Sequence, residues 1–402
     1  MYKYYHPCLS SGKLAVLPWQ AKLLLFCGNW PIAADATWRT LIFVNLLIIN
    51  NIVTGCFIGE TELNFIFQNR GDISLQLESA TTFLILVETY LRMYYLAYTR
   101  NHFREVLTDF YRTIYVEKAV NPILYQEIQR RRIPTQVSTS FYFLTMLSFT
   151  AVPFVGLLSG QHLLPYKMLP HFDYTQWNLY LLCLYFTTHV AFCVIFQLVS
   201  ESNILALLIL NLNGQYMLLQ AKLETLYLEL EYRTNFEIAI YEFRNGLRDI
   251  IKRNQELNHF AVKLQQQYTI PIFIMMGFSA VILCTLVFMA ATIGMSTKNI
   301  SYISWIIAKV IELIIFGQLG STLLHTTNQM ATAYYTCNWE EVIFRSTNAN
   351  ENIKLMKLIA IAINLNQRPI SLNGLFFEVS LETVVKILRA SASYFTCLYA
   401  VR

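Results

Sequence analysis

Apolar residues along this 402-residue chain gather into runs of membrane length, separated by polar stretches. Seven runs stand out, near 40–59, 78–98, 138–158, 177–203, 268–294, 302–322 and 376–401. Each is close to or above the ~20 residues a helix needs to cross ~30 Å of hydrocarbon. The pattern predicts an all-α membrane protein with seven transmembrane helices. Glu88 and Arg92 lie four apart in the second run and form an internally paired position on one helical face. The fourth and fifth runs continue into 213–264, where Leu219, Leu223, Leu226 and Leu230 recur at helical spacing among Glu and Arg without a proline. Two amphipathic helices there would project ~35 Å from the membrane. They are either a solvated hairpin or a surface on which subunits assemble.

The last run carries the most informative pattern. Glu378, Glu382, Lys386, Arg389, Ser393, Cys397 and Ala400 are spaced by three or four and fall on one helical face. Phe377, Leu381, Val384, Leu388, Phe395 and Leu398 take the other face. Charge facing lipid is expensive, so the polar face requires water or protein. It reads as the wall of a pore, with Cys397, Ala400 and Val401 forming an apolar ring near its outer end that closes it by dewetting. Arg368-Pro369 and Asn373-Gly374 break helical periodicity just before this run, and a short amphipathic helix near Asn352–Asn364 precedes the break.

Basic residues set the orientation. They crowd the leading segment and the segments between runs two and three, four and five, and six and seven, including Arg130-Arg131-Arg132. The alternate loops hold only Arg70, Lys167 and Lys298. The positive-inside rule then puts the N-terminus in the cytoplasm and the C-terminus outside, opposite to a metabotropic seven-helix receptor. The expected division is 1–212 for the N-terminal segment and spans one to four, 213–267 for the cytoplasmic extensions, and 268–322 for spans five and six. A cytoplasmic anchor then occupies 323–375 and a pore-lining span 376–402.

Composition agrees: 55% of residues are hydrophobic and 14% charged, far below the ~25% charged of a soluble domain. No basic block is interleaved with stacking aromatics, so a nucleic-acid partner is excluded. The eight cysteines are scattered without a CxxC pair, and the N-terminus lacks a cleavable signal, so the first span serves for insertion. No GxGxxG, P-loop or HExxH pattern occurs, which leaves no cofactor and no enzyme chemistry to assign. His162 and His171 share an outer loop without the carboxylates or cysteines a metal site needs, and His189 and His325 read as packed side chains. Asn299-Ile300-Ser301 is a glycosylation sequon on an expected outer loop. A secondary transporter would show an internal repeat, and none is visible. The outer halves of spans two, three, four and six offer aromatic and small polar residues for a small apolar ligand: Thr82, Phe83, Val87, Phe149, Thr150, Pro153, Tyr180, Leu184, Thr188, Trp305 and Ile306.

The stretch Ser380-Leu381-Glu382-Thr383, followed by Ser393-Tyr394-Phe395-Thr396, resembles the seventh-helix signature of the insect odorant receptors. The gustatory sister family ends its seventh helix with a Gln-Phe where this chain has Ala400-Val401, which makes a gustatory-type channel the second reading. The compact 213–264 segment is similar to that of a ligand-specific tuning subunit rather than the longer shared coreceptor. The resemblance implies a ligand-gated, non-selective cation channel that binds a small volatile organic ligand. It also implies a heterotetramer with the odorant receptor coreceptor in the plasma membrane of olfactory sensory neurons. By that resemblance Cys397 and Val401 fall at the hydrophobic gate, and Ala400 falls where the coreceptor has a pore-facing glutamine.

Overall fold

The computed structural model describes residues 4–228, 236–292 and 297–401, and among them the regular structure is helical with no strand. After a short helix α1 (Trp19–Phe26) come α2 (Trp38–Gln68), α3 (Ile73–Tyr98) and α4 (Arg100–Asp109). A π-helical turn at Phe110–Ile114 then leads to α5 (Pro122–Arg131) and α6 (Ile133–Leu158). Two very long helices follow, α7 (Trp177–Leu228) and α8 (Phe236–Thr292), and then α9 (Thr297–Tyr335). The chain closes with α10 (Trp339–Arg345), α11 (Ala349–Leu365) and α12 (Leu381–Val401).

Local chemistry sets several boundaries. Asp72 caps α3 by accepting from the Ser74 and Leu75 backbone N–H groups, and Asn348 caps α11 through the N–H of Glu351. Asn121 caps α5 with Pro122 at its first position, where a missing N–H costs nothing. Gly160 stops α6 with a φ of 72°, a conformation that side chains avoid.

Among the described residues, five helical stretches are long and apolar enough to cross a bilayer, lying in α2, in α5 with α6, in α7, in α8 and in α9 with α10. Helices α3 and α12 occupy the places of two further expected spans, with 26 and 21 residues, but hold more charge: Glu78, Glu88 and Arg92 in one, Glu382, Lys386 and Arg389 in the other. Leu41, Ile42, Leu46, Ile49 and Val53 of α2 and Leu144, Leu147, Phe154 and Val155 of α6 are exposed. An apolar fringe of that extent suits hydrocarbon and not water. The protein is a helical membrane protein.

Two cores stack along the bundle. One joins α4 and α11 to the later half of α7, the earlier half of α8 and the later half of α9, with Phe103, Phe110, Tyr216, Phe243 and Tyr334 fully buried. The other joins α2, α3, α6, the first half of α7 and the last turns of α8 with α9, around Tyr142, Phe149, Cys193, Phe288 and Trp305. The run-on of the fourth and fifth spans is observed as single helices of 52 and 57 residues. One short helix and two helix ends are not marked by the apolar runs. Leu14–Cys27 holds a short helix, α1, buried along one face and fixed to α7 where Ser200 Oγ donates to the Gln20 carbonyl at 2.7 Å. Helix α9 runs on to Tyr335 rather than stopping near 322. Helix α12 starts at Leu381 rather than near 376, because backbone bonds from Val379 to Leu372 and from Gly374 to Phe377 hold 372–379 in a tight turn.

Candidate functional site

A cavity opens within the second core, with walls from α2, α3, α6, α7, α8 and α9. Ile58 and Glu62 come from α2, Thr81, Thr82, Ile85 and Leu86 from α3, and Met146 and Phe149 from α6. Val190, Ala191, Val194 and Ile195 of α7, Leu286 of α8, and Tyr302 and Trp305 of α9 complete the sides. Its volume of about 40 Å³ is well above the ~10–15 Å³ that admits one water. Tyr166 closes one end from the loop after α6. That loop is pinned across the tips of α2 and α3: Leu169 N–H donates to the Thr61 carbonyl at 3.0 Å, and Ser79 Oγ donates to the Lys167 carbonyl at 3.2 Å. Apolar walls with a few fixed polar groups are the usual chemistry of a small-molecule site.

The structure brings together Thr82, Phe149 and Trp305 from the sequence-predicted set on this wall. Thr150, Leu184 and Thr188 line a different space, an open groove of about 480 Å³ between α1, α6 and α7, with Phe26, Tyr185 and His189. Phe83, Val87, Pro153, Tyr180 and Ile306 line neither. Tyr180 instead supports the outer loop, its ring stacked 4.5 Å from His162 and its hydroxyl donating to the Leu163 carbonyl at 3.1 Å. His189 is a packed polar group, 2.9 Å from Asn50 Nδ2 and 2.8 Å from Asn51 Oδ1.

Beneath the cavity lies a buried ionic network that sequence reading caught only in part. Arg92 of α3 donates to Glu88 Oε1 at 3.2 Å and to Glu201 Oε2 of α7 at 3.1 Å. Lys309 of α9 reaches Glu88 at 2.7 Å and Glu312 at 3.3 Å. Tyr142 of α6 donates to Glu312 Oε2 at 2.8 Å, and Ser202 donates to its other oxygen. Glu88 follows the cavity residues Ile85 and Leu86 on α3, and Lys309 lies one turn beyond Trp305 on α9, so the network sits about one helical turn below the cavity, with none of its members on the wall itself. Mutual pairing is what lets such charges sit inside an apolar bundle.

Helix α12 packs against α8 and α9 along one face, with Val384 and Ser391 buried. Glu382, Lys386, Arg389, Ser393, Cys397 and Ala400 are all exposed on the other. Lys386 Nζ pairs with Glu382 Oε1 at 2.7 Å. Glu378 departs from the expected stripe: it sits in the turn before the helix, bridged to Asn373, because the chain break extends to Ser380. The Val401 side chain lies outside the described residues. Asn299, expected on a loop, occupies the first turn of α9 and is half-buried, with Ser301 buried beside it.

A family profile described as 7tm Odorant receptor matches residues 72–392. The chain belongs to the odorant receptor family. It is 36% identical to odorant receptor 74a of Drosophila melanogaster over 99% of each chain, and 32% identical to odorant receptor 35a of the same fly over 84% of this chain and 82% of that one. Its fold matches the insect olfactory receptor OR5 from Machilis hrabei, in a structure with eugenol, at a TM-score of 0.77. That match covers 95% of this chain and 97% of the other at 13% identity. A second structure of the same receptor matches equally well, with a TM-score of 0.77. Odorant receptors are receptors and not enzymes.

Several residues of this odorant receptor's cavity and ionic network escaped sequence reading. Lys309 and Glu312 stand three apart in an apolar run, the same signal that singled out Glu88 and Arg92. Tyr166 comes from a loop, where no periodicity marks a direction. Glu62 lies just beyond the expected first span.

Proposed function

We propose that this odorant receptor is a ligand-specific subunit of a ligand-gated cation channel, with α12 as the seventh and pore-lining helix. A small volatile binds in the cavity between α2, α3, α6, α7 and α9, and its binding favours the open arrangement of α12. The observation that carries this reading is the exposed polar face of α12 beside a docked apolar face. A row of Glu382, Lys386, Arg389, Ser393 and Cys397 has no place in lipid, and a water-filled axis shared among subunits accommodates it. The N-terminus faces the cytoplasm and the C-terminus the outside, as the basic segments require. The inner ends of α7, α8 and α9 with α11 then form the assembly domain. The partner is the odorant receptor coreceptor in a heterotetramer, in the plasma membrane of olfactory sensory neurons. Near its outer end the face turns apolar at Cys397 and Ala400, where dewetting closes the path.

The test is current recording from cells expressing this chain with the coreceptor, against a panel of volatiles. In a Cys397→Ser background, Ala400→Cys is expected to let an external thiol reagent alter conductance, while buried Ser391→Cys is not. Conductance indifferent to reagent at Ala400→Cys, closed or activated, removes α12 from the ion path.

A further inference from the structure

Glu62 sits on the cavity wall with 1% of its surface exposed. One carboxyl oxygen is engaged: the Thr82 hydroxyl lies 2.6 Å from Oε1. The other, Oε2, is the one polar atom on that wall which is fully buried and has no hydrogen-bond partner. The two threonines beside it are already committed, and the Tyr166 and Tyr302 hydroxyls on the same wall do not bond to Oε2. Thr81 donates its hydroxyl to the Leu77 carbonyl at 2.7 Å, and Thr82 also contacts the Ser79 carbonyl at 3.0 Å. Most of the remaining wall is aliphatic or aromatic, with no Lys, Arg or His among the lining residues. A buried acceptor left unmade is unfavourable, and in a binding site it defines what the ligand must bring.

Resting on the reading of this cavity as the ligand site, we infer that Glu62 selects small apolar molecules carrying one hydrogen-bond-donating head group, an O–H or N–H, which donates to Oε2. The hydrocarbon part of the ligand lies against Ile85, Phe149, Val194 and Trp305. Specificity follows because a donor satisfies Oε2, whereas an ether or alkane of the same shape leaves it bare.

The experiment records currents from this subunit with the coreceptor, using compounds of one carbon skeleton: the alcohol, the primary amine, the ketone and the methyl ether. Wild type is expected to respond to the alcohol or the amine at concentrations ~10-fold or more below those for the ether. Preference for the alcohol alone marks a neutral head group, and for the amine alone a cationic one; either supports the inference. Glu62→Met is expected to bring donor and ether within ~3-fold while ether currents persist. If Glu62→Met gives no current, Glu62→Gln replaces it. Its amide keeps an oxygen for Thr82 and turns N–H toward the cavity, so the ketone is expected to gain over the alcohol. A wild-type response indifferent to donors, or an unchanged ranking in the variant that conducts, overturns the inference but leaves the channel intact. Absence of any ligand-evoked current in wild type overturns the channel reading and this inference together.

Discussion

Lys309 Nζ on α9 lies 2.7 Å from Glu88 Oε1 on α3, with 1% and 2% of the two side chains exposed. The lysine also serves Glu312, so its loss removes a cation from two buried carboxylates at once, leaving Glu88 to Arg92 and Glu312 to the Tyr142 and Ser202 hydroxyls. Lys309→Met is expected to destabilise the bundle by about 3–5 kcal/mol. The melting temperature of the detergent-solubilised protein and its surface abundance measure this. Combining Glu88→Gln with Lys309→Met is expected to recover part of the loss, and a double variant no better than the single one argues against charge pairing as the cause.

Gly317 and Gly320 let α12 begin against α9. A Cβ on Gly320 would sit 2.1 Å from the Val379 carbonyl oxygen, and one on Gly317 would sit 2.7 Å from Val384 Cγ2. Backbone cannot swing aside as a side chain can. Gly320→Ala is therefore expected to displace the start of α12, costing about 1–3 kcal/mol and changing basal current. Gly277→Ala on α8 is the control, since a Cβ there meets nothing within 4 Å.

Ligand ranking is expected to follow the cavity wall. Phe149→Ala and Tyr166→Ala enlarge it and shift relative potencies by ~10-fold or more, since one methylene in such a pocket is worth ~1–3 kcal/mol. Phe83→Ala, off that wall, leaves the ranking as in wild type. Dose–response curves over a homologous series of volatiles decide.

Helix α11 is tied to α8 by the ion pair of Arg244 with Glu351, and Lys354 bonds the same carboxylate at 2.8 Å. Lys354 first, and Arg244 with it, hold the Glu351 carboxyl below the usual carboxylate range. A carboxylate lowered in the folded state adds stability above its unfolded pKa and loses it as pH falls through the folded value. Acidification into that range is expected to loosen α11, with faster hydrogen exchange across 349–365, and Glu351→Gln is expected to remove the pH dependence.

Periodicity and charge made the long helices and the stripe on α12 legible, because both are repeated over many turns. The cavity was legible only in part. Thr82, Phe149 and Trp305 face it, while Phe83, Thr150 and Ile306, each one position further along, do not. Adjacent helical residues point ~100° apart, so a helix face cannot be read from contiguous pairs. Glu378 was misplaced for a related reason: its spacing matched the stripe, but the backbone there turns and is not helical. Glu62 was hidden because a single acid near a helix end carries no pattern, and only the tertiary packing that buries it gives it meaning.

Helix α7 touches the cavity at Val190–Ile195, carries Glu201 and Ser202 into the ionic network, and ends beyond Leu223 in the other core. Its 52 residues form one uninterrupted rod, ~78 Å long. Pivoting such a rod by ~3° about its middle sweeps each tip sideways by ~2 Å, a displacement of the size that distinguishes packed states at subunit boundaries. Leverage along a stiff beam thus gives anything that shifts Val190–Ile195 mechanical reach into the opposite core.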